Sequence, residues 1–322
     1  MNSGTSTYSL NDVVRIMGDV RAAIESVIEG KRNSVDLALV VLLAEGHLLL
    51  EDVPGVGKTM LAKALGRSIA CTVRRVQFTP DLLPSDITGV SIYNQQSREF
   101  EFKPGGIFAN IVVGDEINRA SPKTQAALLE SMEERQVSVD GATYLLEAPF
   151  MVIATQNPIE MEGTYPLPEA QRDRFMARIE MGYPTPKAEL EMLDSHGSKD
   201  PLGTLRPVTD APTMRGLIQA VKQVYVAPAV KEYVVGVINA TRDSRDLRLG
   251  ASPRASLALL RASRALAALS GRDYVNPDDV AALAVPVLAH RVLPSTDAQL
   301  ARRSVADIIA EAVRSVSVPD RR

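Results

Sequence analysis

Apolar residues recur at helical spacing from Leu10 to Ile28, with Val13, Val14, Met17, Val20, Ala23, Ile24 and Val27 on one side of a 3.6-residue repeat. Ser34 stands where it can cap a second helix over Val35–Ala44. The pattern then changes. Strand-like segments, HLLL at 47–50, TVRRVQF at 72–78 and the short apolar runs ANIVVG at 109–114 and FMVIAT at 150–155, alternate with helix-like segments such as MLAKALGRSIA at 60–70. Runs that are apolar throughout suit strands buried on both faces, and their alternation with helices predicts a parallel sheet covered by helices, an α/β fold. Past YPTP at 183–186 the strand signals mostly stop. TMRGLIQAVKQV, PAVKEYVVGVINATR, PRASLALLRASRALAAL and PDDVAALAVPVLAHR each read as a helix, three opening on proline at a position where its missing N–H does no harm. Two domains are expected: residues 1–184, the α/β unit with its N-terminal helices, and residues 185–322, a smaller all-α unit.

Bulk properties narrow the function little. The chain has 322 residues, a formal charge of −3 and 45% hydrophobic residues, which is ordinary globular composition with no general attraction for nucleic acid or anionic membrane. Cys71 is the sole cysteine, so no internal disulfide can form, and His47, His196 and His290 lack metal-cluster spacing. The longest apolar run, LALVVLLA at 37–44, falls well short of the ~20 residues a membrane span needs. The polar start has no signal-peptide form, and a cytoplasmic protein without stable membrane insertion is expected.

Chemistry concentrates where the apolar runs end, the edge at which open parallel sheets bind ligands. After HLLL comes EDVPGVGKT, close to the G-x-x-x-x-G-K-[ST] phosphate loop but with Asp52 in place of the first glycine. Gly55 and Gly57 let backbone N–H groups turn inward, Lys58 can reach the β- and γ-phosphates, and the Thr59 hydroxyl can bind Mg²⁺. Pro54, Val56 and Met60 complete the nucleotide-contacting stretch. A bare glycine turn would not require Lys58 and Thr59 at the helix start. After IVV comes GDE: two carboxylates at a buried strand end, of which Asp115 would hold Mg²⁺ through water and Glu116 would polarise the attacking water. A solvated strand end is the plainer reading of that pair taken alone. After FMVIA comes TQN, where Asn157 could orient the same water or serve simply as a turn former before Pro158.

Arginines supply the remaining clues. In GASPRASLALL, Ser252 reads as a helix cap, Pro253 as the first helical residue and Arg254 as the second, where a cation opposes the helix dipole unless an anion is near. Arg254 is therefore expected to reach a bound γ-phosphate, with a solvated surface arginine as the alternative. Arg172 and Arg174 in PEAQRDRF are two residues apart, and one of them could neutralise charge in phosphoryl transfer, within its own subunit or a neighbour's.

With these pieces in order the chain resembles the AAA+ ATPases of the MoxR group. The resemblance runs from about Ile28 to Arg178 and again around Arg254, through FTPDLLPSDITG, GDEINRASPKTQAALLESMEERQVSVDG and ATQNPIEMEGTYPLPEAQRDRF. It implies a P-loop AAA+ core followed by an all-α lid. Gly55, Gly57, Lys58 and Thr59 match Walker A, and DVPGVGKT is then a working phosphate loop. Asp115 and Glu116 match Walker B, Asn157 sensor 1 and Arg254 sensor 2. Arg174 resembles the arginine finger that acts on a neighbour, ahead of Arg172, while Ile28 and Gly30 lie where the family packs adenine. GVSIYNQQSREFEFKPGG and RQVSVDGATYLLE read as hairpins of the kind that face a ring's pore or partner side; ordinary sheet extensions are the alternative.

The resemblance further implies ATP and Mg²⁺ as ligands and a ring of identical chains, expected to be a hexamer. It implies chaperone-like maturation of a client protein, with a separate partner bearing a von Willebrand factor A domain. The rivals are a nucleic-acid-remodelling motor, disfavoured by the acidic net charge, and a nucleotide-gated scaffold that turns over slowly.

Overall fold

The computed structural model describes residues 8–28, 30–51, 56–157, 164–183, 186, 189–190 and 201–319. Helix α1 (Leu10–Glu25) starts at a capping box. The Ser9 hydroxyl accepts from the Asp12 N–H, and the Asp12 carboxylate accepts from the Ser9 N–H. The second helix corrects the sequence expectation, because α2 spans Arg32–Leu43 and Ser34 is buried inside it rather than capping it. The chain turns at Gly30, in the left-handed region at φ 71°, and Lys31 fixes the start by donating from Nζ to the carbonyls of Met181, Gly182 and Tyr183 at 2.5–3.0 Å.

Five parallel strands form the sheet: β1 (Leu48–Glu51), β2 (Val73–Gln77), β5 (Ile111–Asp115), β8 (Met151–Gln156) and β9 (Ala177–Ile179), in the order β2-β5-β8-β1-β9. Strand alternation sends successive residues to opposite faces. Leu48, Leu50, Ile111, Val113 and Ile153 join the larger hydrophobic cluster, while Leu49, Val112 and Val152 join the other. Both faces are thus covered, which is why β1, β5 and β8 read as apolar runs, while the edge strand β2 keeps exposed arginines. Helix α3 (Lys58–Ser68) packs in the larger cluster with α1 and α2. Helices α4 (Pro84–Thr88) and α5 (Pro122–Glu134) contribute to the smaller one.

Two antiparallel hairpins project from this core. One pairs β3 (Val90–Asn94) with β4 (Glu99–Lys103), and the other pairs β6 (Gln136–Val139) with β7 (Ala142–Leu145). Asp140 and Gly141, at φ 51° and 79°, give the second its tight turn, as the Asp-Gly pair predicts. The hairpins meet where the Phe102 and Tyr144 rings stack with centroids 3.9 Å apart.

Short helices α6 (Glu169–Arg172) and α7 (Pro201–Thr204) lead to a helical region. It comprises α8 (Ala211–Lys222), α9 (Pro228–Asp243), α10 (Pro253–Leu269), α11 (Pro277–Leu288), α12 (Thr296–Leu300) and α13 (Val305–Ser315). Helices α8 to α11 each carry proline in the first turn. Side-chain caps at Asp210, Ser252 and Asn276 satisfy the orphan N–H groups of α8, α10 and α11. The helical region shares the larger cluster with α1, α2 and one sheet face, so the two parts have a continuous core. The expected boundary between 184 and 185 lies outside the described residues. Among the described residues no helix is long and apolar enough to cross a membrane.

Candidate functional site: two edges of one sheet

The sheet's carboxyl edge gathers the first group of sequence-predicted residues. Strand β1 ends at Glu51 and α3 opens at Lys58, with Gly57 as its cap in the left-handed region at φ 93°. A side chain there would be strained, and a β-carbon would meet the Met181 methyl at 3.9 Å. Pro54 and Gly55, with Asp52, lie outside the described residues. Val56 and Met60 are partly buried against the larger cluster. Ile28 is buried, and Lys31, next to Gly30, holds the 181–183 segment, so the Gly30–Lys31 turn and the start of α3 meet around Met181.

Asp115 closes β5 and is buried. The Thr59 hydroxyl lies 3.4 and 3.5 Å from its two oxygens, the Thr155 hydroxyl donates to Oδ1 at 3.1 Å, and Arg75 Nε donates to Oδ2 at 2.5 Å. Glu116 follows in left-handed backbone, φ 56° and ψ 51°, an uncommon conformation for a residue with a side chain. Its N–H donates to the Thr155 hydroxyl at 2.9 Å, and its carboxylate accepts from Gln77 Nε2 at 3.0 Å and from Arg119 at 3.1 Å. One hydroxyl thus orients both acids. Asn157, just beyond β8, is buried at the same edge.

Arg174 and Arg254 are elsewhere. Arg174 precedes β9, and the next N–H but one, from Met176, donates to the His47 carbonyl just before β1. That is the amino edge of the sheet. Glu133, near the end of α5, receives Arg174 Nε at 2.7 Å on one oxygen and the Arg254 guanidinium on the other. The Arg174 hydrogen bond, with the charge of Arg254, holds the Glu133 carboxyl below the usual range. A cavity of about 440 Å³ opens here, lined by Glu45, His47, Glu133, Arg174, Arg254 and Arg261 among others. Strand β8, six residues long, spans roughly 17 Å between the edges. The structure therefore brings Lys58, Thr59, Asp115, Glu116 and Asn157 to one edge and Arg174 with Arg254 to the other. Arg172, on α6, has its Nε buried without a partner among the described residues.

Two buried histidines stiffen the amino edge. His47 Nε2 donates to the Met132 carbonyl at 3.0 Å while Nδ1 accepts from the Val152 N–H at 2.9 Å, which requires the neutral Nε2–H ring. Burial pushes its pKa down to about 3. His290 Nε2 donates to the Phe175 carbonyl at 2.9 Å, and burial, with the Arg291 charge nearby, holds it well below the ordinary value.

No local motif singles out Arg75, Gln77, Thr155 or Glu133. The i, i+2 spacing of Arg75 and Gln77 puts them on one face of a strand, but which strand and carboxylate they meet depends on register.

A parallel sheet whose first strand feeds a Gly-Lys-Thr helix start, with two acids beside it, defines a nucleotide-binding ATPase core. Comparison with known proteins agrees. The family described as "ATPase family associated with various cellular activities (AAA)" matches residues 47–177, and the AAA lid domain family matches 239–312. Chaperone MoxR1 of Mycobacterium tuberculosis is 43% identical over 92% of this chain and 80% of its own length. Protein MoxR of Paracoccus denitrificans is 32% identical over 94% and 96%. An uncharacterised Bacillus subtilis protein, YeaC, is 50% identical over 97% of both chains. A crystal structure from Cytophaga hutchinsonii, of a protein named as a candidate ATPase, superposes with a TM-score of 0.90 at 35% identity, covering 97% of each chain. The chain belongs to the MoxR family of AAA+ ATPases, and with it to a family of nucleotide-binding proteins.

Proposed function

We propose that this protein is a Mg²⁺-dependent ATPase that works as a ring of identical chains, expected to be a hexamer, and uses hydrolysis for chaperone-like maturation or activation of client proteins. The observation that carries the reading is the separation of Lys58, Thr59, Asp115, Glu116 and Asn157 from Arg174 and Arg254 by the length of the sheet's strands. One chain cannot apply both groups to one phosphate. A second copy, packed with its amino edge against the first copy's carboxyl edge, can.

In this reading Lys58, Gly55, Gly57 and the first N–H groups of α3 bind the phosphates, with Pro54, Val56 and Met60 beside them and Ile28 and Gly30 packing the base. Thr59 and Asp115, a hydroxyl and a carboxylate converging within 3.5 Å, are hard oxygen donors of the kind Mg²⁺ takes. Bound there, Mg²⁺ would supply charge neutralisation to the phosphate oxygens. Glu116 polarises the attacking water, Asn157 orients it, and Arg174 with Arg254 meets the charge developing on the neighbour's γ-phosphate. Arg254 thus acts across the boundary beside Arg174, rather than on its own chain's nucleotide.

The relative from Mycobacterium tuberculosis is named a chaperone, and that supports a client-directed role. A separate von Willebrand factor A domain protein is proposed as the partner that presents the client, in the cytoplasm. Specific ATPase activity should climb with protein concentration as rings form; flat activity down to dilute protein would contradict the shared site. For the client role, a tagged Glu116→Gln protein with ATP and Mg²⁺ should retain a von Willebrand-type protein and its client from cell extract. Retention mainly of nucleic acid would instead indicate a motor.

A further inference from the structure

Behind Arg174 and Arg254 lies a second carboxylate that touches neither. Asp173 accepts from the Ser252 hydroxyl at 2.9 and 3.1 Å and from Arg291 Nη1 at 2.6 Å. Asp173 immediately precedes Arg174, and Ser252 is the cap of α10, two residues before Arg254. The same Ser252 oxygen accepts from the Ala255 N–H at 3.3 Å, so one hydroxyl both caps the helix and ties it to the other arginine's backbone. Arg291 also donates from Nη2 to the Phe175 carbonyl at 2.5 Å, which His290 shares. Asp173, Arg174 and Phe175 are thereby bolted to the two helices that carry Arg254 and precede Arg291.

Stability alone explains this cluster poorly. The Arg291 side chain is 2% exposed, and a buried ion pair is seldom more stabilising than apolar packing of the same volume. Its contribution is direction. The cluster fixes Arg174 relative to Arg254, although the two come from segments far apart in sequence.

We propose that Asp173, held by Arg291, is a positioning residue that acts through the Ser252 hydroxyl to present Arg174 and Arg254 as a fixed pair to the nucleotide site of a neighbouring copy. This rests on the shared-site reading above. It adds a residue that touches no nucleotide yet governs the neighbour's turnover.

The test uses the full chain with Ser252→Asp, which keeps a good helix cap but withdraws the hydroxyl donor and sets a second carboxylate against Asp173. Ser252→Thr keeps both functions and is the conservative control. S252D should lower kcat about 10²-fold, the cost of a misplaced catalytic group, with affinity for labelled ADP unchanged, while S252T stays near the parent. Mixing S252D with Lys58→Ala should restore turnover, since the K58A chain has sound arginines to lend. Mixing it with Arg174→Ala should not. Asp173→Asn should behave like S252D in all three assays.

Parent-like turnover in S252D overturns the proposal, as does a loss that K58A fails to rescue while the R174A and K58A pair is rescued, because the role is then merely structural. If the R174A and K58A pair is itself not rescued, the shared-site reading fails and the proposal falls with it.

Discussion

The two edges of the sheet are mirror cases in electrostatics. At the carboxyl edge the working groups read from the sequence include two acids, and each is balanced by a cation of its own chain: Arg75 on Asp115, Arg119 on Glu116. At the amino edge they are arginines, and Glu133 pairs with both. Each half of the proposed site thus holds its working groups on counter-ions of its own chain, with an arginine charge to spare at the amino edge, where one carboxylate faces two guanidiniums, and assembly would exchange these internal partners for phosphate and Mg²⁺. The carboxyl edge is built from local motifs next to strand ends, whereas the amino edge is assembled from α5, the segment before β9 and the helical region.

The comparison predicts that damage at either edge stops turnover but leaves different functions behind. Arg174→Ala should lower kcat by about 10³-fold or more while labelled ADP still binds. Equal losses of binding and turnover would place Arg174 in its own chain's nucleotide site. Glu116→Gln should cost about 10² to 10⁴-fold in turnover and trap ATP uncleaved, detectable as retained radiolabelled triphosphate after rapid desalting.

Acid should strike the amino edge first. His47 has a folded pKa of about 3 against an unfolded value near 6.5. Above pH 6.5 neither state takes the proton, and below it only the unfolded state does. Stability therefore falls as pH drops from about 6.5 towards 3, by about 1.4 kcal/mol per pH unit, and the lowered His290 adds a slope of the same sign. Hydrogen exchange at pH 5.5 should show faster opening at Met132, Val152 and Phe175 than around Thr59 and Asp115. Uniform protection would break the distinction.

The smallest effect concerns Arg75, which is half exposed, so its pairing with Asp115 is screened. Arg75→Gln should lower the Mg²⁺ concentration needed for tight ADP binding, by about fivefold or less. An increase would show that Arg75 orients Asp115 for the metal instead of competing with it.

Much of the fold was legible because the central strands β1, β5 and β8 are buried on both faces and announce themselves as apolar runs, and because the helices of the C-terminal half carry proline and polar caps. The start of α2 was not. It depends on Lys31 reaching carbonyls at 181–183, a contact no local pattern encodes. The same division holds at the site. Lys58, Thr59, Asp115, Glu116 and Asn157 stand at strand ends, where local sequence is informative. That Arg254 would share Glu133 with Arg174 could not be read, because three separate segments must fold before those side chains meet.

The central claim is that one chain's carboxyl edge and another's amino edge make a single site. Mixing Lys58→Ala and Arg174→Ala chains, each inactive alone, measures it most directly. Random assembly at equal amounts pairs a sound nucleotide edge with a sound arginine edge at about a quarter of the boundaries. The account predicts ATPase activity in the mixture that neither variant has alone, following that fraction as the ratio is varied. A mixture no more active than its components, in rings shown to exchange subunits, would contradict it.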